Sequence, residues 1–443
     1  VSRKVFLQSL GCDKNLVDAE RMLGFLSERG YVLTDDESEA DAIIVNTCCF
    51  IADAKEESIQ TLIDLGRYKE TGSLKVLIAT GCLAQRYAEE IRTELPEVDA
   101  VLGTAEFDRI ADVLEDAFAG TGKKSVEAPE RLIGEGERIL STGGHYAYLK
   151  IAEGCDKCCT YCIIPKIRGH YRSVPMELLL KEAGSLAARG VKELILVAQE
   201  TTLYGTDLYG EKRLPELLKK LCAIEGLEWI RILYCYPEEI TEELIETIAA
   251  EPKICHYLDL PIQHSEDAVL KRMGRKTDRE SIERTIGRLR ERIPDIVLRT
   301  TLITGFPGET EADVEGLKAF VKKTEFERLG VFPFSAEEGT AAEKMEGQIP
   351  QEEKERRRDM IMELQQEISA GFGERRVGRV LPCIVEGRLT EEEEPILVCR
   401  SYMDAPDVDG YVFVRTDADL MSGTMVNVRI TESMEYDLLG ELV

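Results

Sequence analysis

Four cysteines fall within eight positions, at Cys155, Cys158, Cys159 and Cys162. A strand-like run, Tyr146 to Ile151, leads into them, and an Ile-Ile-Pro stretch follows. Read as two Cys-x2-Cys pairs, Cys155/Cys158 and Cys159/Cys162, they are a candidate zinc site. Structural zinc sites normally place a spacer of roughly a dozen residues between pairs, so that four ligands can close a tetrahedron. Here the pairs abut. Read as Cys155-x3-Cys159-x2-Cys162, the stretch offers three thiolates to a cube-shaped iron–sulfur cluster and leaves one iron without a protein ligand. Such an iron can bind a substrate or cofactor. The third reading is that these are ordinary buried cysteines, which pack as small hydrophobes.

A second set is dispersed along the N-terminal third. Cys12 follows Leu-Gly, Cys48 follows Asn-Thr and Cys82 follows Thr-Gly, each just after a short apolar run: Lys4 to Leu10, Asp41 to Val45 and Lys75 to Ala79. These runs are rich in Val, Ile and Leu and are followed by helical spacing near 15–30, 52–68 and 84–94, the pattern of parallel βα units. Gly30 and Gly66 sit where helices can stop. A fourth strand at Ala100 to Leu102 and a helix over 107–118 complete an open parallel α/β layer. The C-terminal ends of parallel strands share one edge, so the three thiols converge there. They form a second candidate cluster site with one open iron, or else three separate small core residues. Cys49 reads as a packing residue.

The positioning elements continue downstream. Strand-like runs at 145–151, 193–198, 229–234, 254–260, 296–303 and 328–334 alternate with helical patterns near 175–189, 214–225, 239–250, 278–291 and 310–323. Six repeats predict an open (β/α)6 barrel with its site at the C-terminal strand ends. Val197 to Thr202, Pro261 to His264 and Gly305 to Thr310 occupy such ends; His264 reads as a hydrogen-bonded structural histidine. A mixed-charge helix over Gln351 to Arg376 leads to short strands at Arg379–Val385, Ile396–Arg400, Tyr411–Arg415 and Met425–Ile430, a small antiparallel β-barrel. The domains expected are 1–135, 140–372 and 375–443.

Composition narrows the function classes. The 443 residues suffice for two or three domains with substantial cores. No apolar run reaches the length of a membrane span and no signal-peptide pattern opens the chain. Thirteen cysteines without such a signal point to a reducing, cytoplasmic setting and to metal or redox use. With only four histidines, a histidine-based hydrolase is not expected. Phosphate-binding Gly-Lys loops and dinucleotide glycine fingerprints are absent. The net charge of −28 repels nucleic-acid phosphates and attracts basic proteins, or simply keeps the chain soluble. The run Glu391 to Glu394 reads as a solvated loop.

The cysteine spacing 155/159/162, with Tyr161 before the last thiol, resembles that of radical S-adenosylmethionine enzymes. There the open iron chelates S-adenosylmethionine and reductive cleavage gives a 5′-deoxyadenosyl radical. Cys158 departs from that pattern. Ser9-Leu10-Gly11-Cys12, Asn46-Thr47-Cys48 and Gly81-Cys82 resemble the N-terminal domain of methylthiotransferases, and residues beyond 375 resemble their TRAM domain. Asp13 to Asp18 and Asp404 to Gly410 resemble the RimO-type branch, which modifies a ribosomal protein; other branches modify tRNA adenosine.

The resemblance implies two 4Fe–4S clusters, on Cys12/Cys48/Cys82 and on Cys155/Cys159/Cys162, with S-adenosylmethionine as cofactor. Tyr161, Gln199 and Glu200 are the cofactor-contact candidates. It implies a transferase that adds a methylthio group to the β-carbon of an aspartate in a basic small-subunit ribosomal protein, using two S-adenosylmethionine molecules per turnover. The alternatives are a tRNA-adenosine methylthiotransferase and, from another class, a non-enzymatic iron–sulfur carrier. Direct RNA binding is not expected of an acidic C-terminal barrel, which carries fourteen acidic residues, six arginines and no lysine over 376–443. The sulfur and electron donors leave no mark in the sequence.

Overall fold

The computed structural model describes residues 3–122, 126–131, 136–389 and 395–443. The acidic run Glu391 to Glu394 lies outside them. The first sheet contains β1 (Lys4–Ser9), β2 (Val32–Leu33), β3 (Ala42–Thr47), β4 (Val76–Thr80) and β5 (Ala100–Leu102) in the order β2-β1-β3-β4-β5, every pairing parallel. β3 and β4 are buried at every position, as befits a parallel sheet covered on both faces. Their alternation splits the core in two. Ala42, Ile44, Val76 and Ile78 pack on one side with Met22, Leu26, Ile110 and Leu114. Ile43, Val45, Leu77 and Ala79 pack on the other with Leu62, Leu83, Ile91, Ile163 and Ile167. Strand β2 was not expected, because two residues carry no periodicity. The helix expected over 84–94 is two, Gly81–Arg86 and Ala88–Glu94.

β6 (Tyr146–Lys150) is followed by a two-residue antiparallel pair, β7 (Ala152–Glu153) with β8 (Arg172–Ser173). The second sheet adds β9 (Glu193–Val197), β10 (Trp229–Ile232), β11 (Ile254–Asp259), β12 (Val297–Thr304) and β13 (Arg328–Pro333) to β6, in the order β13-β12-β11-β10-β9-β6. Strand order follows chain order, so each repeat lays its strand beside the last, as six consecutive βα units require.

The C-terminal strands are β14 (Val380–Leu389), β15 (Ile396–Ser401), β16 (Val412–Arg415), β17 (Met425–Ser433) and β18 (Leu438–Leu442). They close a barrel in the order β14-β15-β16-β18-β17. Four seams are antiparallel, and one, β16 with β18, is parallel. Closure leaves no free sheet edge.

The chain forms two compact units, neither of them contiguous. One contains Val1–Ser141, Lys150–Leu178 and Ser335–Glu343; the other contains Thr142–Leu149, Leu179–Phe334 and Lys344–Val443. Within the second unit the β-barrel and the six-stranded sheet are joined by buried charge. Glu193 receives Arg231 at 2.7 Å and Arg400 at 2.5 Å, with all three side chains fully buried. Arg400 also reaches Glu386 at 2.8 Å, and His145 contacts Glu386 at 2.7 Å. Asp404 pairs with Arg328, Asp409 accepts the Tyr257 hydroxyl at 2.7 Å, and Asp407 accepts that of Tyr146 at 3.2 Å. The Asp404–Gly410 acids are therefore engaged inside this unit. They contribute less to the outer field of the barrel than the sequence count suggests.

Candidate functional site

All six cysteines expected to hold iron belong to the first unit. Cys12 is the N-cap of the helix Asp13–Glu28, Cys82 lies in the first turn of Gly81–Arg86, and Cys48 precedes Ala52–Gly66. Each thus sits between a parallel strand and a helix N-terminus, where free N–H groups favour a thiolate. Two glycines let the turns close. Gly11 has φ +86°, and a Cβ there would lie 2.7 Å from Cys48 Cβ and 2.8 Å from its Sγ; Gly81 has φ +89° and would meet Thr47 O at 2.6 Å. Asn15 ties the turns together, its amide donating to Leu10 O and Thr47 O at 3.0 Å each, while Asn46 Nδ2 donates to Asn15 O at 2.7 Å. The Ser58 hydroxyl accepts the Cys48 N–H at 2.9 Å. Cys48 and Cys82 are 7% and 6% exposed, whereas Cys12 is open to solvent. Burial pushes the Cys82 thiol up to about 12, against the pull of the Arg168 guanidinium, and Cys12 and Cys48 are close enough to act on it electrostatically. Cys49 is fully buried in the apolar core on that face.

The second triad is held by the β7–β8 pair. Gly154 has φ +81°, and any Cβ would collide with His170 O; the Cys155 N–H donates to Gly169 O at 3.1 Å. Cys162 N–H donates to Cys159 O at 3.0 Å, closing the loop on itself. Cys155 and Cys159 are each 6% exposed and Cys162 is half-buried. Cys158 is exposed, with φ +52°. Burial raises the Cys162 thiol to about 12, with Cys159 and Cys155 acting on it more strongly than Cys158. Tyr161, next to it, is partly exposed.

Among the described residues no three His, Cys, Asp or Glu side chains group tightly enough for one metal ion. A cubane spaces its ligands differently, since each thiolate binds a different iron. All-thiol donor sets at glycine-shaped turns fit such a cluster at both triads.

Five residues to which sequence reasoning gave no role group in the first unit around Arg168, next to Cys82. Arg168, fully buried, donates Nη2 to Asn15 Oδ1 and to Cys82 Sγ (3.4 Å), and Nη1 to Asp18 (2.7 Å) and Glu153 (3.2 Å). Lys150 pairs with Asp18, and with Glu153 at 2.7 Å. Asn15 and Asp18 lie three apart on one helix, and Glu153 and Arg168 flank the cysteine loop. Asn15 and Asp18 fall in the Asp13 to Asp18 stretch noted for its resemblance, but no periodicity links that helix to Lys150, Glu153 and Arg168, so nothing in the sequence joined the five.

Gln199 and Glu200 lie in the other unit, after β9. Gln199 is half-buried; Glu200 is fully buried and accepts the backbone N–H (2.9 Å) and the hydroxyl of Thr202. His264 is buried: Nδ1 accepts the Glu266 N–H at 3.0 Å and Nε2 lies 3.4 Å from Glu309. Burial pushes the Glu309 carboxyl up, but His264, the Gly305 N–H and Arg357 outweigh it and hold it below the usual range. The histidine is thus hydrogen-bonded within its loop, as expected of a structural residue.

Three family models match parts of the chain. Residues 4–103 match the uncharacterized protein family UPF0004, residues 149–321 the Radical SAM superfamily and residues 377–443 the TRAM domain. The fold resembles that of the radical S-adenosylmethionine methyltransferase TsrM from Kitasatospora setae, with a TM-score of 0.55 at 15% identity over 74% of this chain and 73% of that one. Full-length relatives are much nearer in sequence. The ribosomal protein uS12 methylthiotransferase RimO of Lachnoclostridium phytofermentans is 60% identical over 99% of both chains. The RimO of Acetivibrio thermocellus is 50% identical over 100% of this chain and 99% of its own. With identity of that order along its whole length, the chain belongs to the RimO family of ribosomal protein uS12 methylthiotransferases.

Proposed function

We propose that this chain transfers a methylthio group to the β-carbon of an aspartate in ribosomal protein uS12. The observation that carries the reading is full-length identity to RimO proteins, together with two cysteine triads in one compact unit. Cys155, Cys159 and Cys162 would hold one 4Fe–4S cluster and Cys12, Cys48 and Cys82 another. When bound, the first supplies the electron that cleaves S-adenosylmethionine, and the second supplies an iron at which sulfur is delivered. A carrier needs neither two such sites nor the βα repeats.

The chain's own residues have simpler tasks. Gly11, Gly81 and Gly154 remove the side chains that would block the cysteine turns. Asn15 and Ser58 orient the N-terminal turns, and the Gly169 carbonyl fixes Cys155 through its N–H. Tyr161, Gln199 and Glu200 are our candidates for S-adenosylmethionine; Thr202 holds one oxygen of the Glu200 carboxylate in place. Among the described residues no helix is long and apolar enough to cross a membrane. Exposed acids of the C-terminal barrel such as Asp417 would attract a basic ribosomal protein.

Mass spectrometry of uS12 from cells with and without this gene tests the proposal. A mass increase on one aspartate, corresponding to S-CH3 in place of H and present only with the gene, is expected. An unmodified uS12 alongside a methylthiolated tRNA adenosine would replace this reading with the tRNA alternative.

A further inference from the structure

We infer that Arg168 is a positioning residue that sets the reduction potential of the N-terminal cluster and ties that cluster's Cys82 to the Cys155 loop. The inference rests on the reading that Cys12, Cys48 and Cys82 ligate iron. Arg168 is 2% exposed and gives one guanidinium nitrogen to Cys82 Sγ at 3.4 Å and to Asn15, the residue that joins the cysteine turns. The other nitrogen goes to Asp18 at 2.7 Å and Glu153 at 3.2 Å. Its neighbour Gly169 offers the carbonyl that accepts the Cys155 N–H at 3.1 Å. One short segment, Ile164–Arg168 and the glycine after it, therefore contacts a ligand candidate of each triad.

The chemistry follows from charge. Arginine stays protonated in proteins. A fixed cation hydrogen-bonded to a ligating sulfur draws electron density from it and stabilises the more negative, reduced cluster, which raises its potential. Two carboxylates and one further cation, Lys150, surround the guanidinium. Removing Arg168 charge leaves the excess negative; removing Asp18 charge leaves it positive. The two changes therefore move the potential in opposite directions, whereas loosened packing has no reason to do so.

The test uses the full chain carrying Cys155→Ala, Cys159→Ala and Cys162→Ala, so that only the N-terminal cluster is seen. Its midpoint potential is read by EPR at a series of poised potentials. Arg168→Gln is expected to shift the midpoint negative and Asp18→Asn to shift it positive, with Arg168→Lys staying near the parent. An unchanged midpoint in Arg168→Gln, or a shift of the same sign in both variants, overturns the inference. If Arg168→Gln does not fold, the sign of the Asp18→Asn shift decides. Absence of any cluster from the parent itself would instead refute the ligand assignment.

Discussion

Removing the charge of Glu193 should loosen the second unit measurably, and the structure sets the size of the effect. Arg231 and Arg400 both end on this carboxylate, at 2.7 and 2.5 Å, and all three side chains are fully buried. Glu193→Gln keeps the shape but turns an amide N–H2 toward two guanidinium groups. Losing one partner of a buried ion network costs about 3–5 kcal/mol, because the remaining charges stay desolvated. With an m-value of about 3 kcal/mol/M in urea, the unfolding midpoint should fall by about 1–2 M. The single tryptophan, Trp229, lies directly across from Glu193 in the β9–β10 pairing, so its fluorescence reports the transition locally. The pH dependence gives a second check. Burial pushes the Glu193 carboxyl up, but Arg400 and Arg231 outweigh it and hold its folded pKa below the usual value. Its stabilisation is therefore complete above the unfolded pKa, about 4.3 for a glutamate, and is lost as pH falls through the folded value. The gap between parent and variant should narrow over that acid range. Arg292→Ala, which breaks an exposed pair with Glu246, should leave the midpoint unmoved. Equal midpoints for parent and Glu193→Gln at neutral pH would refute the reasoning.

Further outcomes follow from the cysteine loops and the surface charge. Cys159→Ala should abolish release of 5′-deoxyadenosine from S-adenosylmethionine while Cys158→Ala retains it; the reverse would mean that the thiol register is misassigned. Cys82→Ala should stop methylthiolation of uS12 yet leave some cleavage, checked by chromatography of the same reactions. Gly154→Ala should lower reconstituted iron from about eight to about four atoms per chain, since a Cβ there meets His170 O; full iron content would show that the loop can shift. Binding of uS12 to the full chain should weaken as salt rises while tRNA binds poorly throughout, measured by fluorescence anisotropy; tight tRNA binding would count against the charge argument.

The two cysteine sets were legible because their chemistry depends on spacing and on strand ends, both of which are local in sequence. The six βα repeats were legible for the same reason: runs such as Leu194–Val197 and Leu298–Thr304 declare themselves as strands without knowledge of their neighbours. What sequence could not show depends on contacts between distant segments. The Arg168 cluster draws Asn15 and Asp18 from one helix and Lys150, Glu153 and Arg168 from the other side of the chain map. Nothing local in the sequence indicates that these side chains are buried together. Likewise Asp404, Asp407 and Asp409 were counted in the acidic charge of the C-terminal segment, and their engagement became visible only with Arg328, Tyr146 and Tyr257 beside them. The parallel seam between β16 and β18 was also hidden, because four strands were read as an antiparallel barrel and the fifth, Leu438–Leu442, was missed.

The patchwork make-up of the first unit has a consequence for how the protein is made. Its last piece, Ser335–Glu343, contributes Glu337 and Glu338 to Arg86, Gly339 O to Lys166 and the Ala342 N–H to Thr160 O. Translation at about 5–20 residues per second separates Cys12 from this piece by on the order of tens of seconds. Through that interval Cys12, Cys48 and Cys82 and then the Cys155 loop are made on a nascent chain that still lacks this piece. Iron delivered before then would meet a unit still missing the partners of Arg86, Lys166 and Thr160. The first unit can therefore be completed only after residue 343 has been synthesised, long after its first cysteine.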